Sequence, residues 1–285
     1  MTDVAAVVAA ACGRPVDGVR AVAGGDICAA WRVRFADGSP GLADGSAAFA
    51  KTFAGDPAMF DAEARSLAWL ASAGAPTPPV LGVGADVLVL GWLDAAGPSA
   101  ATAERFGREL AALHAAGADR FGADWPGYAG RLRLSNDPST SWAEFYAATR
   151  LLPLARQAAD AGALRDVHVV EDVANRLADR AGAPEPPARL HGDLWSGNVL
   201  WAADRAWLID PAAYGGHRET DLAMLDLFGA SHLDRIVAAY AETTPLADGW
   251  RQRIGLHQLY PLLAHAVMFG GGYGARAEAV ARQYA

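Results

Sequence analysis

The sequence predicts a two-lobed α+β fold, in which a small antiparallel-sheet lobe with one helix precedes a larger, mostly helical lobe. Before Leu93, apolar strand-like stretches alternate with glycine turns. After Leu93, the turn-rich linker DAAGPSAAT leads into long alanine-rich stretches, and a short strand-like island follows the loop APEPPA. A chain of 285 residues is long enough for two lobes with cores of their own. We place these lobes at residues 1–93 and 94–285.

Short strands and one amphipathic segment account for the N-terminal lobe. VRAVAGGDICAAWRVRFADG indicates two strands around a glycine turn, followed by a hairpin turn at Asp37-Gly38. AAFAKTF predicts a third strand. Residues 59–72 carry apolar side chains at helical spacing and run into a glycine, which predicts the helix of this lobe. APTPPVLGVGADVLVLGWL then predicts two further strands with a turn at Ala85-Asp86.

The C-terminal lobe is predicted to be mainly helical. TAERFGRELAALHAAG and SWAEFYAATRLLPLARQAADAG are its clearest helical stretches. NVLW and RAWLI, which follow RLHGDLWSG, have the pattern of a β-hairpin. The last third, from DLAMLDLFG to LYPLLAHAVMF, is helical again.

Composition excludes several classes of function. A net charge of −8 argues against a nucleic-acid partner, which normally requires a basic face. Cys12 and Cys28 are the only cysteines, which is typical of the reducing cytoplasm. The start, MTDVAAVVAAACG, lacks the basic region of a signal peptide, so we predict a helix capped by Thr2 or Asp3. No apolar stretch approaches the ~18 residues of a membrane span.

The strongest chemical signal is HGDLWSGN followed by WLID. Asp193 stands five residues before Asn198, and Asp210 follows the predicted hairpin. The hairpin would bring Asn198 and Asp210 together, and an amide oxygen beside a carboxylate suits Mg²⁺. Asp193 could then accept the proton of an attacking hydroxyl. This arrangement indicates phosphoryl transfer to an alcohol.

Lys51 is the only lysine among 24 basic residues. It lies near the middle of a predicted strand, and Glu63 follows on the predicted helix. Kinase-like folds hold nucleotide phosphates with a strand lysine locked by a helix glutamate. Gly24 and Gly25 form a turn upstream, where backbone N–H groups could cradle phosphate. Arginine cannot replace the compact ammonium of lysine at such a position, which explains the exception.

These motifs, with IDPAAYGGHRETDLAML and LYPLLAHAVMFGGGY, resemble the fructosamine kinase (ketosamine-3-kinase) family. That family is a branch of the protein-kinase-like fold, which also includes aminoglycoside phosphotransferases and choline kinases. The likeness runs from about Ala21 to Tyr273. It implies an ATP-dependent transfer of the γ-phosphate to the 3-hydroxyl of a ketose carried on an amine, which initiates deglycation of that amine.

The resemblance implies roles for the residues that match its motifs. Asp193 corresponds to the catalytic base, and Asn198 with Asp210 to the Mg²⁺ ligands. Lys51 and Glu63 correspond to the pair that anchors the ATP phosphates.

Further roles follow from the same resemblance. The segment Gly91-Trp92-Leu93, between the lobes, would hydrogen-bond adenine through its backbone. His191 and Asp221 are expected near the site in structural roles, with Asp221 bracing the catalytic loop.

The acceptor side of the site is the least constrained by the motifs. Trp195 lies two residues after the base, and its flat indole could pack on a sugar face. The resemblance suggests that His265 approaches the same pocket and that His217 and Glu219 shape its rim. Gly215 stands where a second tyrosine is common in the family, which suggests an enlarged pocket.

Two alternatives remain open from the sequence. The enzyme could phosphorylate an aminoglycoside, a choline-like amine or another small alcohol. It could instead be a nucleotide-binding pseudokinase that acts as an interaction module. The preferred ketose, the amine, which could be a free amino acid or a protein lysine, and the oligomeric state are not determined by the sequence.

Overall fold

A computed structural model of the chain describes residues 3–23, 27–36 and 47–285. Its N-terminal part is built on one five-stranded sheet in the order β1-β2-β3-β5-β4, and every neighbouring pair is antiparallel. The strands are β1 (Val16–Ala21), β2 (Ala29–Phe35), β3 (Ala47–Thr52), β4 (Val80–Gly84) and β5 (Val87–Gly91). The predicted turn at Asp37-Gly38 lies outside the described residues.

Two helices, not one, pack against this sheet. Helix α1 (Val4–Cys12) begins at Asp3, whose carboxylate accepts a hydrogen bond from the N–H of Ala6. It ends at Gly13, which has a φ of 64° that favours glycine. Helix α2 (Ala58–Ser72) is the predicted amphipathic helix. Because α1 packs on β1, β4 and β5, it is a second helix of the sheet lobe, for which the predicted fold class gave one.

The C-terminal part is mostly helical, as predicted. Its helices are α3 (Ala100–Ala115), α4 (Trp142–Tyr146), α5 (Leu152–Asp160), α6 (His168–Asn175), α7 (Leu177–Arg180), α8 (Glu219–Leu227), α9 (Leu233–Thr243), α10 (Trp250–Phe269) and α11 (Tyr273–Ala281). Three two-stranded ladders accompany them: β6 (Gly127–Ala129) with β7 (Leu132–Leu134), β8 (Ala188–Leu190) with β11 (Tyr214–Gly216), and β9 (Val199–Trp201) with β10 (Ala206–Leu208). None of the helices formed by the described residues has the length and hydrophobicity needed to cross a bilayer.

The loop between β8 and β9 is anchored in an apolar cluster on the C-terminal side. Leu194, in the middle of this loop, and Val199, the first residue of β9, are buried together with Leu208 of β10. The cluster also contains Leu110 of α3 and Ile236 of α9. Helices α3 and α9 therefore pack against the middle and the C-terminal end of the loop that carries the HGD motif.

Helix α10 contains Pro261, which has no N–H to donate to the carbonyl of His257. The buried hydroxyl of Tyr146 lies beside this turn of the helix. It is 3.0 Å from the carbonyl oxygens of both Leu256 and His257, and it accepts a hydrogen bond from the N–H of Tyr260 at 3.1 Å. The Tyr146 hydroxyl thus gives a hydrogen-bond partner to the carbonyl of His257, which the proline leaves without its helical donor.

We expect Tyr146→Phe to lower the free energy of unfolding by about 1–3 kcal/mol, because it leaves buried backbone groups without a partner. Chemical denaturation measures this change. Tyr284→Phe is the matched control, since the Tyr284 hydroxyl also donates to an α10 carbonyl, that of Gln252, but at an exposed position. The control should stay within about 0.5 kcal/mol of wild type. Equal losses for the two variants would contradict this role of Tyr146.

Candidate active site

Lys51 lies in β3, the central strand of the sheet, and its ammonium joins the two parts of the chain. Its Nζ is 2.6 Å from Oε2 of Glu63 on α2 and 2.8 Å from Oδ1 of Asp210. The side chain is 8% exposed. Burial opposes the charge of Lys51, but the two carboxylates outweigh burial and hold its pKa above the ordinary value. The lysine is therefore a buried, fully charged cation at the junction of the sheet and the HGD-containing half.

Glu63 forms the ion pair with Lys51 that the sequence predicted. Its side chain is 11% exposed. Burial raises the pKa of Glu63 against the opposing effect of Lys51. Within the described residues, its second oxygen, Oε1, is buried and has no hydrogen-bond partner. The pair fixes the position of the Lys51 ammonium in the lobe.

A network of buried hydrogen bonds braces the loop that follows β8. The carboxylate of Asp221 accepts the backbone N–H groups of His191 at 2.8 Å and of Gly192 at 3.0 Å. His114 Nε2 lies 3.2 Å from the same carboxylate. His191 donates from Nε2 to the carbonyl of Ile209 at 2.9 Å, and its Nδ1 accepts the N–H of Asp193 at 3.3 Å. These contacts fit the structural roles predicted for His191 and Asp221.

His114 was missed in the sequence, although it is buried beside Asp221. Its Nδ1 is 2.9 Å from the hydroxyl of Tyr240 on α9. Gly192 is also required locally, because its φ is 82° and a Cβ there would overlap the carbonyl of Ala212. A single histidine at the end of a long helix carries no pattern that distinguishes this role from ordinary packing.

Asp193 has its carboxylate oriented by Asn198. The Nδ2 of Asn198 donates to the Asp193 backbone oxygen at 2.8 Å and to its Oδ2 at 3.0 Å. Burial raises the pKa of Asp193 to about 7, the hydrogen bond from Asn198 opposes this shift, and the charges of Asp210 and Asp221 add to it. A carboxylate with a pKa in this range can both take up and release a proton near neutral pH.

Asn198 and Asp210 lie beside each other across the hairpin of β9 and β10, where the N–H of Ile209 donates to the Asn198 backbone oxygen at 3.1 Å. Since Nδ2 of Asn198 is committed to Asp193, its Oδ1 remains for a cation. Asp210 has a φ of 54° and a side chain that is 46% exposed. An amide oxygen and a partly exposed carboxylate, both hard donors, fit Mg²⁺ that takes its other ligands from phosphate and water.

The segment predicted to hold adenine connects the two parts of the chain. The N–H of Gly91, the last residue of β5, donates to the carbonyl of Pro79 at 2.9 Å. No backbone hydrogen bond within the described residues involves Trp92 or Leu93. The Trp92 side chain is fixed instead, with its Nε1 donating to Asp94 at 3.0 Å and the Arg32 guanidinium 4.5 Å from the ring centroid. Gly24 and Gly25, the predicted phosphate turn, lie outside the described residues.

Trp195 and His265 belong to one row of rings. Trp195 contacts Phe228 edge to face with a centroid distance of 5.9 Å, and Phe228 lies 4.9 Å from His265. His265 in turn contacts Phe269 at 5.4 Å and Tyr273 at 5.1 Å. Phe228, Phe269 and Tyr273 were not identified from the sequence, where aromatic residues at helix ends look like ordinary packing residues.

His217 and Glu219 are buried, 4% and 2% exposed, in a cluster behind β11. Glu219 accepts two hydrogen bonds from Arg253, at 2.5 and 2.9 Å, and His217 packs on Trp142 and His257 at centroid distances of 5.1 and 4.9 Å. These contacts support a structural role for His217 and Glu219. The surroundings of the two residues do not support the prediction that they shape the rim of the acceptor pocket.

The expected enlargement of the pocket at Gly215 is wrong. Gly215 exchanges hydrogen bonds with Gly122 at 2.8 and 2.9 Å, and a Cβ at residue 215 would overlap the carbonyl oxygen of Arg120. Glycine is therefore needed for close approach of the 118–122 segment, and its small size opens no space for a substrate.

We expect the buried His217 to make the fold sensitive to acid. Burial, followed by the neighbouring His257, lowers the pKa of His217 to about 3. The unfolded chain takes up a proton near pH 6.5, whereas the folded chain does not, so stability present above pH 6.5 is lost as pH falls. His217→Asn should reduce the dependence of unfolding free energy on pH between about 6 and 4.5 by about 1.4 kcal/mol per pH unit. An unchanged slope together with a raised KM for the acceptor would instead support the rim position.

Comparison with known proteins is consistent with this geometry. A family model for fructosamine kinase matches residues 1–285. A protein of Thermus thermophilus named "Probable ketoamine kinase" is 35% identical over 252 residues, which cover 88% of this chain and 87% of that protein. The crystal structure of a "putative fructosamine-3-kinase" from Thermobifida fusca is 48% identical, has a TM-score of 0.91, and covers 98% of this chain and 97% of its own.

A more distantly related structure shares the same fold. A thermostable mutant of the aminoglycoside phosphotransferase APH(4)-Ia, solved with ADP and hygromycin B, has a TM-score of 0.63 at 18% identity and covers 100% of this chain and 99% of its own. At that identity the likeness concerns the fold alone. With a family model matched along its whole length and relatives that cover most of it, this chain belongs to the fructosamine kinase family and is a phosphotransferase with a protein-kinase-like fold.

Proposed function

We propose that this protein is an ATP- and Mg²⁺-dependent kinase that phosphorylates the 3-hydroxyl of ketosamines. The observation that carries the proposal is the convergence of two clusters. Lys51 and Glu63 come from the sheet lobe, Asp193 and Asn198 from the HGD loop, and Asp210 contacts Lys51 across the two. The names of the relatives, a ketoamine kinase and a fructosamine-3-kinase, support the acceptor class and the position of transfer.

On the nucleotide side, we assign the Lys51 ammonium to the phosphates and the backbone of Trp92 and Leu93 to the adenine. Asn198 Oδ1 and Asp210 would hold Mg²⁺, which supplies charge neutralisation at the transferring phosphoryl group when bound. Glu63 would keep the Lys51 ammonium in place if the Asp210 carboxylate were engaged by the cation. The two free cysteines, Cys12 and Cys28, fit a reducing cytoplasmic setting.

On the acceptor side, Asp193 takes the proton of the attacking hydroxyl. Asn198 Nδ2 holds Oδ2 of this carboxylate, and no described residue donates a hydrogen bond to Oδ1. The acceptor proton therefore passes to Oδ1 while the hydroxyl oxygen attacks the γ-phosphorus and the bond to the β-phosphate oxygen breaks.

The side chains beyond Asp193 favour a sugar–amine adduct over a polycationic aminoglycoside. Trp195, Phe228 and His265 form an aromatic wall, which suits a sugar face with a single attached amine. A site for several ammonium groups would need carboxylates in these positions.

The test is ADP release with Mg²⁺–ATP against fructose- and ribulose-derived ketosamines, aminoglycosides and choline, with the phosphorylated position determined by NMR. We expect acceptor-dependent turnover on ketosamines and phosphate on the 3-hydroxyl. Turnover only on an aminoglycoside or on choline would show that this compound, and not a ketosamine, is the acceptor. Nucleotide binding without turnover of any acceptor would favour the pseudokinase.

A further inference from the structure

The face of helix α2 that carries Glu63 lies against the C-terminal part of the chain. Glu63, Ser66 and Leu70 are three and four residues apart, so they share one face of the helix. Leu70 is buried in the apolar cluster that also contains Leu194 of the HGD loop. Leu67 belongs instead to the cluster formed with β5 of the sheet. Helix α2 therefore lies between the sheet and the C-terminal part.

On this face, the hydroxyl of Ser66 connects two functional segments. The side chain is buried, and its Oγ accepts hydrogen bonds from the N–H of Ala213 at 3.3 Å and from Nε1 of Trp125 at 3.2 Å. Ala213 is itself buried and follows Asp210 by three residues. A single oxygen atom thus joins the helix of Glu63 to the segment of Asp210.

The next turn of α2 strengthens the same attachment. Trp69 contacts Trp125 edge to face, with a centroid distance of 5.7 Å. The Arg189 guanidinium lies 4.4 Å from the Trp69 ring centroid, and its Nη1 donates to the Trp69 carbonyl at 2.8 Å. Arg189 is part of β8, which leads directly into the HGD loop. Helix α2 is therefore attached to the chain both before and after the β9–β10 hairpin.

The position of the Lys51 ammonium depends on the distance between α2 and the segment of Asp210. Its two carboxylate partners, Glu63 at 2.6 Å and Asp210 at 2.8 Å, come one from each of these elements. Alanine would form the helix better than serine, and a buried hydroxyl is costly unless it is hydrogen-bonded. The hydroxyl at residue 66 therefore indicates a need for the two hydrogen bonds, which packing alone would not require.

We propose that Ser66 is a positioning residue for phosphoryl transfer, because its hydroxyl sets the distance between the helix of Glu63 and the segment of Asp210 and so holds the Lys51 ammonium at the nucleotide phosphates. This inference rests on the nucleotide side of the proposed function. It adds that the C-terminal part, through one hydroxyl, determines where the ion pair of the sheet lobe stands.

The first test is Ser66→Ala. We expect kcat/KM for ATP to fall by about 5- to 50-fold, since a displacement of up to about 1 Å at a reacting group can cost about a hundredfold. The affinity for ATP, measured by calorimetry, should weaken, whereas the affinity for adenosine, which lacks the phosphates assigned to Lys51, should not change. Trp125→Phe removes one of the two N–H donors and should cause a smaller loss in the same direction.

A double-mutant cycle with Glu63→Gln separates positioning from stability. If Ser66 acts through Glu63, adding Ser66→Ala to Glu63→Gln should lower kcat/KM for ATP by less than about twofold. A residue that only stabilises the fold would cost the same factor in both backgrounds.

Two controls match the substitution. Ser72→Ala is the same exchange at an exposed position of α2, and Arg189, which donates to the Ser72 hydroxyl at 2.9 Å, keeps its bond to the Trp69 carbonyl. Thr77→Val removes a buried hydroxyl that donates to the carbonyl of Leu67 at 3.5 Å. Both variants should keep the wild-type kcat/KM for ATP.

Wild-type kcat/KM for ATP in folded Ser66→Ala, equal losses in the two backgrounds, or equal weakening of ATP and adenosine would overturn the positioning role. Should Ser66→Ala fail to fold, an unchanged ATP affinity in Trp125→Phe would overturn it instead. Absence of turnover on every acceptor would overturn the proposed function, and the affinities for ATP and adenosine would then decide on Ser66 by themselves.

Discussion

Asp193→Asn is expected to lower kcat for the acceptor by about a hundred- to ten-thousand-fold, because the amide cannot take the proton of the attacking hydroxyl. The KM for ATP should change little, since the phosphate and metal contacts are assigned to Lys51, Asn198 and Asp210. Asparagine can still accept the hydrogen bond that Asn198 donates at 3.0 Å, so the loop should keep its shape. Steady-state kinetics and nucleotide binding by calorimetry measure both expectations.

The same substitution should leave the protein as stable as wild type or more stable near pH 8. The pKa of Asp193 is raised in the folded state, so its charge disfavours folding above the unfolded pKa, and removing that charge relieves the cost. Asp204→Asn, exposed in the turn of the β9–β10 hairpin, is the control for a nearby loss of one carboxylate. Near-normal turnover in Asp193→Asn would refute its role as the base, and a large loss of stability would make lost activity uninformative.

Lys51→Arg is expected to reduce kcat/KM for ATP by about a hundredfold, although it conserves the charge. The ammonium fits between two carboxylates at 2.6 and 2.8 Å on a side chain that is 8% exposed. A planar guanidinium is larger and directs its donors in a fixed fork, so it would displace Glu63, Asp210 or itself. A displacement of about 1 Å at a reacting group can cost about a hundredfold in rate.

Arg34→Lys is the matched control for this exchange. Arg34 lies on the neighbouring strand β2, is 62% exposed and pairs with Asp17 at 2.7 Å. An exposed ion pair of this kind contributes about 0–1 kcal/mol, so its exchange should leave kinetics and stability near wild type. Full activity of Lys51→Arg would contradict both the phosphate role and the explanation for a single lysine in an arginine-rich chain.

Residues with demanding chemistry were recognisable from the sequence. Lys51 stood out as the lone lysine, and Asp193, Asn198 and Asp210 were spaced around a hairpin that β9 and β10 now form. The Lys51–Glu63 ion pair follows from the order of strand and helix. Few functions other than phosphoryl transfer place a carboxylate, an amide and an ammonium in this order, because each of these groups needs a partner of specific charge or hydrogen-bonding type.

The sequence did not show whether a polar side chain near the site faces the substrate or the protein interior. His217 and Glu219 follow closely on the β9–β10 hairpin in sequence, but β11 and α8 turn them towards Trp142 and Arg253 in the interior. Gly215 suggested space, and the close approach of Gly122 fills it. A polar residue that faces a substrate and one that faces a buried partner have the same local sequence pattern.

The sequence by itself therefore indicated the order of the helices and strands and the residues that we assign to phosphoryl transfer, because hydrophobic periodicity and the spacing of charged and amide side chains are local properties. Only the tertiary structure decided that α1 packs on β1, β4 and β5, that His114 supports Asp221, and that Phe228 links Trp195 to His265. These contacts join residues far apart in the chain, and packing between helices, which the period of one helix does not specify, brings them together.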